Sequence, residues 1–235
     1  MSTRNTRSRK SAPLSLERLE GRELKAGNVA IWVDTAGTLN VSGDGNSNGV
    51  AITQVAPTAY RVTGLNHYGA TTINGRSSVV MYNVYNDIAV NLGNGDDHLS
   101  IGGTTTGGQA TLADDLFIAM GSGNDTVVLS ALRNRDFNDY MYIDTGFGAD
   151  TVHLSQVRCN AGLTVDTGAD NDRFTMQYSS AGSVFAAMGA GNDLADLRFN
   201  SFGSTPTLEM GTGFDTVTLR GNNRPVMVYN YEQQT

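Results

Sequence analysis

The sequence has few of the residues that cross-link or interrupt small folds. Of its 235 residues one is cysteine, Cys159, which excludes an internal disulfide and a cysteine metal cluster. Only four prolines occur, and no run approaches the 18 or so apolar residues that a membrane-spanning helix needs. The chain is long enough to bury its own core, so we expect one elongated domain behind a short leader.

Lysine does not occur after Lys25, and glutamate occurs there only as Glu209 and Glu232. The first 25 residues carry seven Lys or Arg against three Glu, a net charge of +4, whereas residues 26–235 carry nine Arg against 20 acids, a net charge of −11. Such an acidic body argues against nucleic acid as a partner. Eighteen of the 20 acids are aspartate, and this bias favours short side chains folded back on turns, or ligands for a hard cation.

Glycine is abundant, at 28 residues, and much of it belongs to a unit that occurs six times. The unit reads G-x-G-x-D-x-Φ-x-Φ, where Φ is apolar or small, and one copy has Asp170 in place of the second glycine. The motif aspartates are Asp97, Asp125, Asp150, Asp172, Asp193 and Asp215. They are 28, 25, 22, 21 and 22 residues apart, and a period in the twenties is typical of a solenoid.

Apolar residues alternate on both sides of each glycine corner. Val152 and Leu154, for example, stand two and four residues after Asp150, and Ile143 stands seven residues before it. This alternation predicts the inward face of a strand on each side of a glycine turn. We therefore predict an all-β fold, a parallel β-solenoid (right-handed β-helix) with coils of about 22 residues.

The repeat divides the chain into four segments. We predict a basic leader at residues 1–27, irregular opening coils and an N-terminal cap at 28–86, six coils at 87–220, and a last strand and tail at 221–235. Leu16, Leu19 and Leu24 indicate a short amphipathic helix in the leader, which Gly21 weakens by about 1 kcal/mol. An unstructured leader is the alternative.

The leader also contains an ordered string of residues: Leu16, Glu17, Leu19, Glu20, Arg22, Leu24, Ala26 and Gly27. The string resembles the L-E-x-L-E-x-R-x-L-x-A-G motif that precedes many large secreted and surface proteins of planctomycete-type bacteria, with Lys25 where an apolar residue is usual. The resemblance implies a secreted or cell-surface protein of bacterial type. Because the basic start lacks the apolar segment of a standard signal peptide, export would use a non-standard leader.

The glycine–aspartate corners resemble the calcium-binding nonapeptide G-G-x-G-x-D-x-U-x of RTX (haemolysin-type) proteins, in which carbonyls and aspartates of neighbouring coils hold calcium. The resemblance implies bound Ca²⁺, with metal ligands at Asp97, Asp125, Asp150, Asp170, Asp172, Asp193 and Asp215. The present units lack the leading glycine of that motif, and their period is about 22 residues, not nine. The alternative is that each aspartate caps its own turn by accepting backbone N–H bonds, without a metal.

These features predict a non-enzymatic extracellular or cell-surface β-solenoid with a structural or adhesive function. The expected partners are calcium and the cell envelope or an extracellular polysaccharide. The alternative is a carbohydrate-active β-helix, either a polysaccharide lyase or a glycan-binding module. A cleft that combined aromatics with clustered arginines and carboxylates on one face would favour this alternative.

No residue pattern in the chain predicts a catalytic site. The three histidines, His67, His98 and His153, share no metal-binding spacing, and Cys159 has no partner at a catalytic spacing. A lyase would need a basic residue, for which Arg173 or Arg198 is available. However, Arg198 and Arg220 occupy the same position in successive units, which predicts a solvated stripe of arginines.

Overall fold

Every regular element of the described chain, residues 27–67, 69–136 and 138–231 of a computed structural model, is a β-strand. Twenty strands, β1 to β20, pair mostly in parallel, and these residues contain no helix. The all-β prediction is therefore confirmed. The predicted leader helix lies outside the described residues.

Three rows of parallel strands result because each of the first five units contributes a strand to every row, and the sixth contributes to the first two rows. The first row contains β2 (Leu39–Ser42), β7 (Ile88–Asn94), β10 (Leu116–Ser122), β12 (Met141–Asp144), the ends of β13 (Thr151–Asp166) and β15 (Ser180–Ala187), β18 (Thr207–Glu209) and β20 (Met227–Tyr229). Pairing is in register at the repeat spacing, so that Phe117 lies beside Tyr142 and Tyr142 beside Thr164. Equivalent residues of successive units are therefore neighbours in space.

The second and third rows follow the same rule. The second row contains β3 (Gly49–Ala56), β8 (His98–Thr104), the start of β11 (Thr126–Asn134), the start of β13, β14 (Arg173–Gln177), β16 (Leu194–Arg198) and β19 (Thr216–Arg220). The third row contains β9 (Ala110–Leu112), the end of β11, the middle of β13, the start of β15 and β17 (Ser201–Phe202). The glycine corners join the first row to the second.

The opening segment departs from parallel pairing. Strand β1 (Asn28–Val33) runs antiparallel to β2, and β4 (Ala59–Gly64) runs antiparallel to both β3 and β6 (Ser78–Met81). The short β5 (Thr72–Ile73) pairs in parallel with β1. These hairpin-like pairings lie at the end of the strand rows where the first repeat unit begins, as a cap would.

The alternation predicted around each corner produces the core. In the first five units the residues two and four after the motif aspartate are buried, as Val152 and Leu154 show. The sixth unit differs, because Val217 is only partly buried and Leu219 is 42% exposed. Among the described residues, strand β19 pairs only with β16 and no strand follows it in its row. The inward prediction is therefore wrong for Leu219.

Candidate functional site

Six of the seven aspartates predicted as metal ligands form one buried column at the glycine corners. The backbone N–H of each of the first five donates to Oδ1 of the aspartate in the next unit. The distances are 2.7 Å from Asp97 to Asp125, 2.7 Å from Asp125 to Asp150, 2.8 Å from Asp150 to Asp172, 2.8 Å from Asp172 to Asp193 and 3.0 Å from Asp193 to Asp215. Asn48 begins the column, since its N–H donates to Oδ1 of Asp97 at 2.6 Å.

Asp170, the seventh predicted ligand, does not join the column. It is exposed and has a positive φ of 86°, whereas Asp172 is buried. Asp170 replaces the second glycine of its corner, so it takes the left-handed conformation that the turn requires. Its side chain therefore lies on the outside of the corner, while that of Asp172 lies inside.

Glycine makes the close approach of successive corners possible. Gly146 has a φ of 93°, and a methyl group added there would collide with the carbonyl oxygen of Gly121 in the preceding unit. Both the positive φ and the short approach exclude a side chain. The aspartate N–H groups can therefore reach the next carboxylate because the corners stack backbone on backbone.

Each column carboxylate uses only one of its oxygens in this ladder. The other oxygen, Oδ2, is buried without a hydrogen-bond partner in Asp97, Asp125, Asp150, Asp172 and Asp193. The residue five positions earlier is also buried in every unit, and in three of these five it is Leu92, Met120 or Met188, which offer no oxygen. In the other two it is a threonine. The hydroxyl of Thr145 donates to the carbonyl of Thr167 at 3.3 Å, and the hydroxyl of Thr167 donates to the carbonyl of Met188 at 3.0 Å.

Burial controls the acid–base chemistry of the column. Desolvation raises the pKa of Asp97, Asp125 and Asp172 to about 7, and the pKa of Asp150 and Asp193 to about 6. Backbone N–H donors oppose this rise, as at Asp150 and Asp172. Negative charge on a neighbouring column aspartate adds to it, most clearly at Asp125. The column therefore favours protonated carboxyl groups.

The ladder resembles the turn-cap alternative more closely than a calcium cage. The difference is that each carboxylate caps the N–H of the preceding unit, not one in its own corner, because in-register stacking brings that N–H closest. Calcium takes six to eight oxygen ligands at 2.3–2.6 Å. Only the Asp150 and Asp172 positions add a threonine oxygen to the free Oδ2 atoms, so among column residues these fit a cation best. Calcium at the column stays a prediction.

A second ladder, which the sequence analysis missed, lies at the corner between the second and third rows. Here Val157 N–H donates to Ser179 Oγ, Ser179 N–H to Asn200 Oδ1 and Asn200 N–H to Asn222 Oδ1, each at 3.0 Å. Asn200 Nδ2 also donates to the carbonyl of Met176 at 2.8 Å. Asn200 and Asn222 each stand seven residues after a motif aspartate, and this constant offset was the signal available. Unlike the aspartates, the amide of Asn200 uses both of its polar atoms.

A third group, Asp87, Asp114 and Asp115, was also missed. One carboxylate oxygen from each lies within 4.8 Å of the others, and all three side chains are partly buried. Burial and mutual repulsion raise the pKa of Asp87 and of Asp114. The residues could hold a cation chemically, but 27 residues separate Asp87 from Asp114, and only strand pairing brings them together.

The basic residues considered for a lyase are not assembled into one site. Arg198 lies beside Arg220 on paired strands, as the stripe prediction required, and its Nε lies 2.6 Å from Asp196 Oδ1. Arg173 lies at the start of β14, whereas Arg198 pairs with Gln177 at the end of that strand. His98 packs edge-on against His67, with 4.2 Å between ring centroids, and burial lowers the pKa of His98.

Comparisons with protein-family models, with curated proteins and with solved structures return no match for this chain. In the part of the chain that the structure describes, no helix is long and apolar enough to cross a membrane.

Proposed function

We propose that the chain is a right-handed parallel β-solenoid of secreted or cell-surface type with a structural or adhesive function and no catalytic activity. The observation that carries the proposal is the repeated in-register pairing of units, together with the side-chain ladders at two corners. Each unit in such a stack contacts only its neighbouring units, and the stack as a whole presents a long, regular surface. The leader motif and the acidic body are consistent with an extracellular environment.

A unit deletion tests the solenoid. Removing residues 151–172 would join Asp150 to Arg173, which occupies the same position as Thr151 in the next unit. We expect a folded protein that small-angle X-ray scattering shows to be shorter by about 4.8 Å, one strand spacing. A matched deletion of residues 151–161, half a unit, should abolish folding because it breaks the register. If both deletions unfold the chain, the units are not independent layers and the proposal fails.

Exposed aromatic residues support an adhesive function. Trp32, Phe117, Tyr142 and Phe185 are between 38% and 47% exposed, although three of them lie on strands of the first row. Trp32 lies beside Asn40 of β2, and a shallow groove of about 470 Å³ contacts Trp32, Phe117 and Tyr142. A contiguous exposed apolar patch commonly marks a site of contact with another molecule.

Calcium stabilisation remains part of the proposal, and it has two candidate locations. Melting at pH 7.5 with 5 mM calcium or with chelator should differ, because an ion that binds only the folded state stabilises it by about 2.7 kcal/mol at a hundredfold excess over its Kd. Asp150→Asn with Asp172→Asn should abolish the difference if the ion lies in the column. Asp114→Asn with Asp115→Asn should abolish it if the ion lies at the group of Asp87, Asp114 and Asp115. Identical melting with calcium and chelator would show that the aspartates serve as caps alone.

A carbohydrate-active solenoid is the second candidate. It is favoured by one observation, two adjoining hollows at the third row that share Arg158. One is also lined by Arg133 and Asn160, and the other by Tyr178 and Phe199. These hollows indicate glycan binding and not cleavage, because no described carboxylate is paired with their arginines.

A further inference from the structure

The third row presents a line of polar side chains that run across five strands. Thr111, Arg133, Arg158, Ser180 and Ser201 are successive partners in the parallel pairing. Neighbouring strands lie about 4.8 Å apart, so the line is about 19 Å long. We call this line the track. Each unit contributes one side chain to it, and it runs perpendicular to the strands.

Three adjoining hollows lie along this track, and together they are called the groove below. The central hollow, of about 330 Å³, is lined by Arg133, Arg135 and Arg158. It shares Arg135 with a hollow of about 360 Å³ at the β3–β4 hairpin, and Arg158 with one of about 430 Å³ that reaches Tyr178 and Phe199. A linear ligand that occupied all three hollows would contact Arg135 and Arg158 where neighbouring hollows meet.

The three arginines of the groove lack acidic partners. Within the described ranges the one ion pair is Arg198 with Asp196, so no described carboxylate lies within 4.0 Å of Arg133, Arg135 or Arg158. Arg133 Nε donates to Thr111 Oγ1 at 3.0 Å, and Arg158 Nε donates to Asn160 Oδ1 at 3.1 Å, which orients both guanidinium groups. Unpaired arginines on adjacent strands repel each other, although the surrounding chain has 20 acids available. The arrangement favours an anionic ligand.

The corner beside the groove keeps side chains where glycine would be less strained. Gln156, Tyr178 and Phe199 have φ values of 56°, 51° and 56°, and the equivalent residue of the last unit is Gly221. A non-glycine residue in this region costs about 1 kcal/mol or more. Tyr178 and Phe199 stack at 5.4 Å with an interplanar angle of 8°, and both are exposed. Their edges give the groove an apolar wall next to Arg158.

We propose that this groove binds a linear polyuronate, a polysaccharide with one carboxylate on each sugar. The planar guanidinium fork pairs with planar carboxylates, and the hydroxyl and amide side chains along the track suit a ligand rich in hydroxyl groups. The proposal rests on the glycan-binding function proposed above for this groove, and it names the class of glycan.

Other linear ligands fit the groove less well. An added peptide strand needs a free sheet edge, but the strands that carry Arg133 and Arg158 are paired on both sides. Nucleic acid carries one charge per about 1.7 Å of duplex, and the net charge of −11 on residues 26–235 would repel it. A polyuronate has a lower charge density, which three arginines can match locally.

Calorimetric titration of the full chain with a galacturonate hexamer tests the proposal. We expect binding that weakens as salt rises from 50 to 300 mM, and at least tenfold weaker binding by Arg133→Gln with Arg158→Gln. The matched control is Arg61→Gln, an exposed arginine of β4 outside the groove, which should bind as the wild type does. Gln156→Gly should weaken binding by a few fold while it raises the melting temperature, because it removes a side chain and relieves the positive φ.

Two further ligands test whether the groove recognises the carboxylate groups of the polysaccharide. The methyl-esterified hexamer has the same backbone without charge and should bind at least tenfold more weakly, and a heparin hexasaccharide should also bind more weakly than the galacturonate. Equal binding of the ester, tighter binding of heparin, or unchanged binding by the double variant would each overturn the proposal. The unit deletion described above reads out the solenoid separately, so a failed titration leaves the proposed architecture standing.

Discussion

The buried aspartate column should make this protein less stable at neutral pH than in mild acid. In the unfolded chain an aspartate ionises near pH 3.8, whereas burial raises the pKa of five column residues to about 6 or 7. A group whose folded pKa is raised keeps its proton in the folded state after the unfolded chain has lost it. Its contribution to stability is therefore complete below pH 3.8 and is lost as the pH rises through 6 to 7.

The size of the effect follows from the number of protons retained. Each retained proton changes the free energy of unfolding by about 1.4 kcal/mol per pH unit. If all five carboxyl groups kept their protons independently, the resulting free-energy change would exceed the whole stability of an ordinary domain, about 5–15 kcal/mol. The column must therefore share fewer than five retained protons among its carboxyl groups. Retention of one or two protons between pH 5 and 7 gives a loss of about 3–5 kcal/mol. At 2–4 °C per kcal/mol for a chain of this size, the melting temperature should fall by roughly 10 °C.

Urea unfolding followed by circular dichroism at pH 5, 6, 7 and 8, with chelator and constant ionic strength, measures this loss. Three other shifts act in the opposite direction, and that of Asp34, whose pKa is lowered by backbone N–H donors, acts only below pH 3.8. Burial lowers the pKa of His98, so its contribution is present above pH 6.5 and is lost in acid, and the lowered pKa of Asp44 acts only below pH 3.8. One histidine cannot reverse the effect of five aspartates.

A matched variant assigns the effect to the column. Asp125→Asn keeps an oxygen that can accept the N–H of Asp97, and Asn48 shows that an amide fits at the first position of the column. The variant should unfold at a higher urea concentration than wild type at pH 8 and should show a smaller loss between pH 5 and 8. Stability that stays constant or rises from pH 5 to pH 8 in the wild type would refute this reasoning.

Three further predictions concern the stack. Val152→Asp should cost several kcal/mol in urea unfolding, because it buries a charge without a partner; a cost under 1 kcal/mol would show that this face is not core. Gly146→Ala should destabilise by more than the 1 kcal/mol typical of a strained turn, because its methyl group meets the Gly121 carbonyl as well, and an unchanged melting temperature would contradict the stacked corners. Asn200→Asp should cost about 1–3 kcal/mol at pH 7 and less at pH 4, since its new oxygen faces the Met176 carbonyl; pH-independent loss would mean that hydrogen bond is not the cause.

The sequence predicted the strands and the corners because their signals are local. Alternating apolar residues such as Val152 and Leu154 and the glycines that take positive φ are properties of single units, and the repetition of units predicts parallel pairing. The positions of Asp150 and Asp172 in one column followed from the same repetition. The separation of Asp170 from that column was missed, because it depends on the conformation of a single corner residue.

The remaining features depend on distances between units, which no local pattern contains. The capping of the Asp125 N–H by the next aspartate requires the corners to stack in register. Asp87 and Asp114 meet across 27 residues of chain, and Arg133 and Arg158 become neighbours only when β11 pairs with β13. Burial of the carboxylates, and the rise in pKa that follows, could not be anticipated while each aspartate was expected to cap its own turn or to bind calcium.

The one-sided pairing of β19 implies an order in which the protein opens. Antiparallel strands cover the opposite end of the rows, whereas β19 has a single partner, β16, and exposes Leu219. Local opening requires least free energy where backbone hydrogen bonds and apolar contacts are fewest. The same holds for β20, which has the single partner β18 and exposes Met227. Amide hydrogens should therefore exchange with deuterium first in β19 and β20, then in β16 and β14, so that the protein opens progressively from this end of the strand rows.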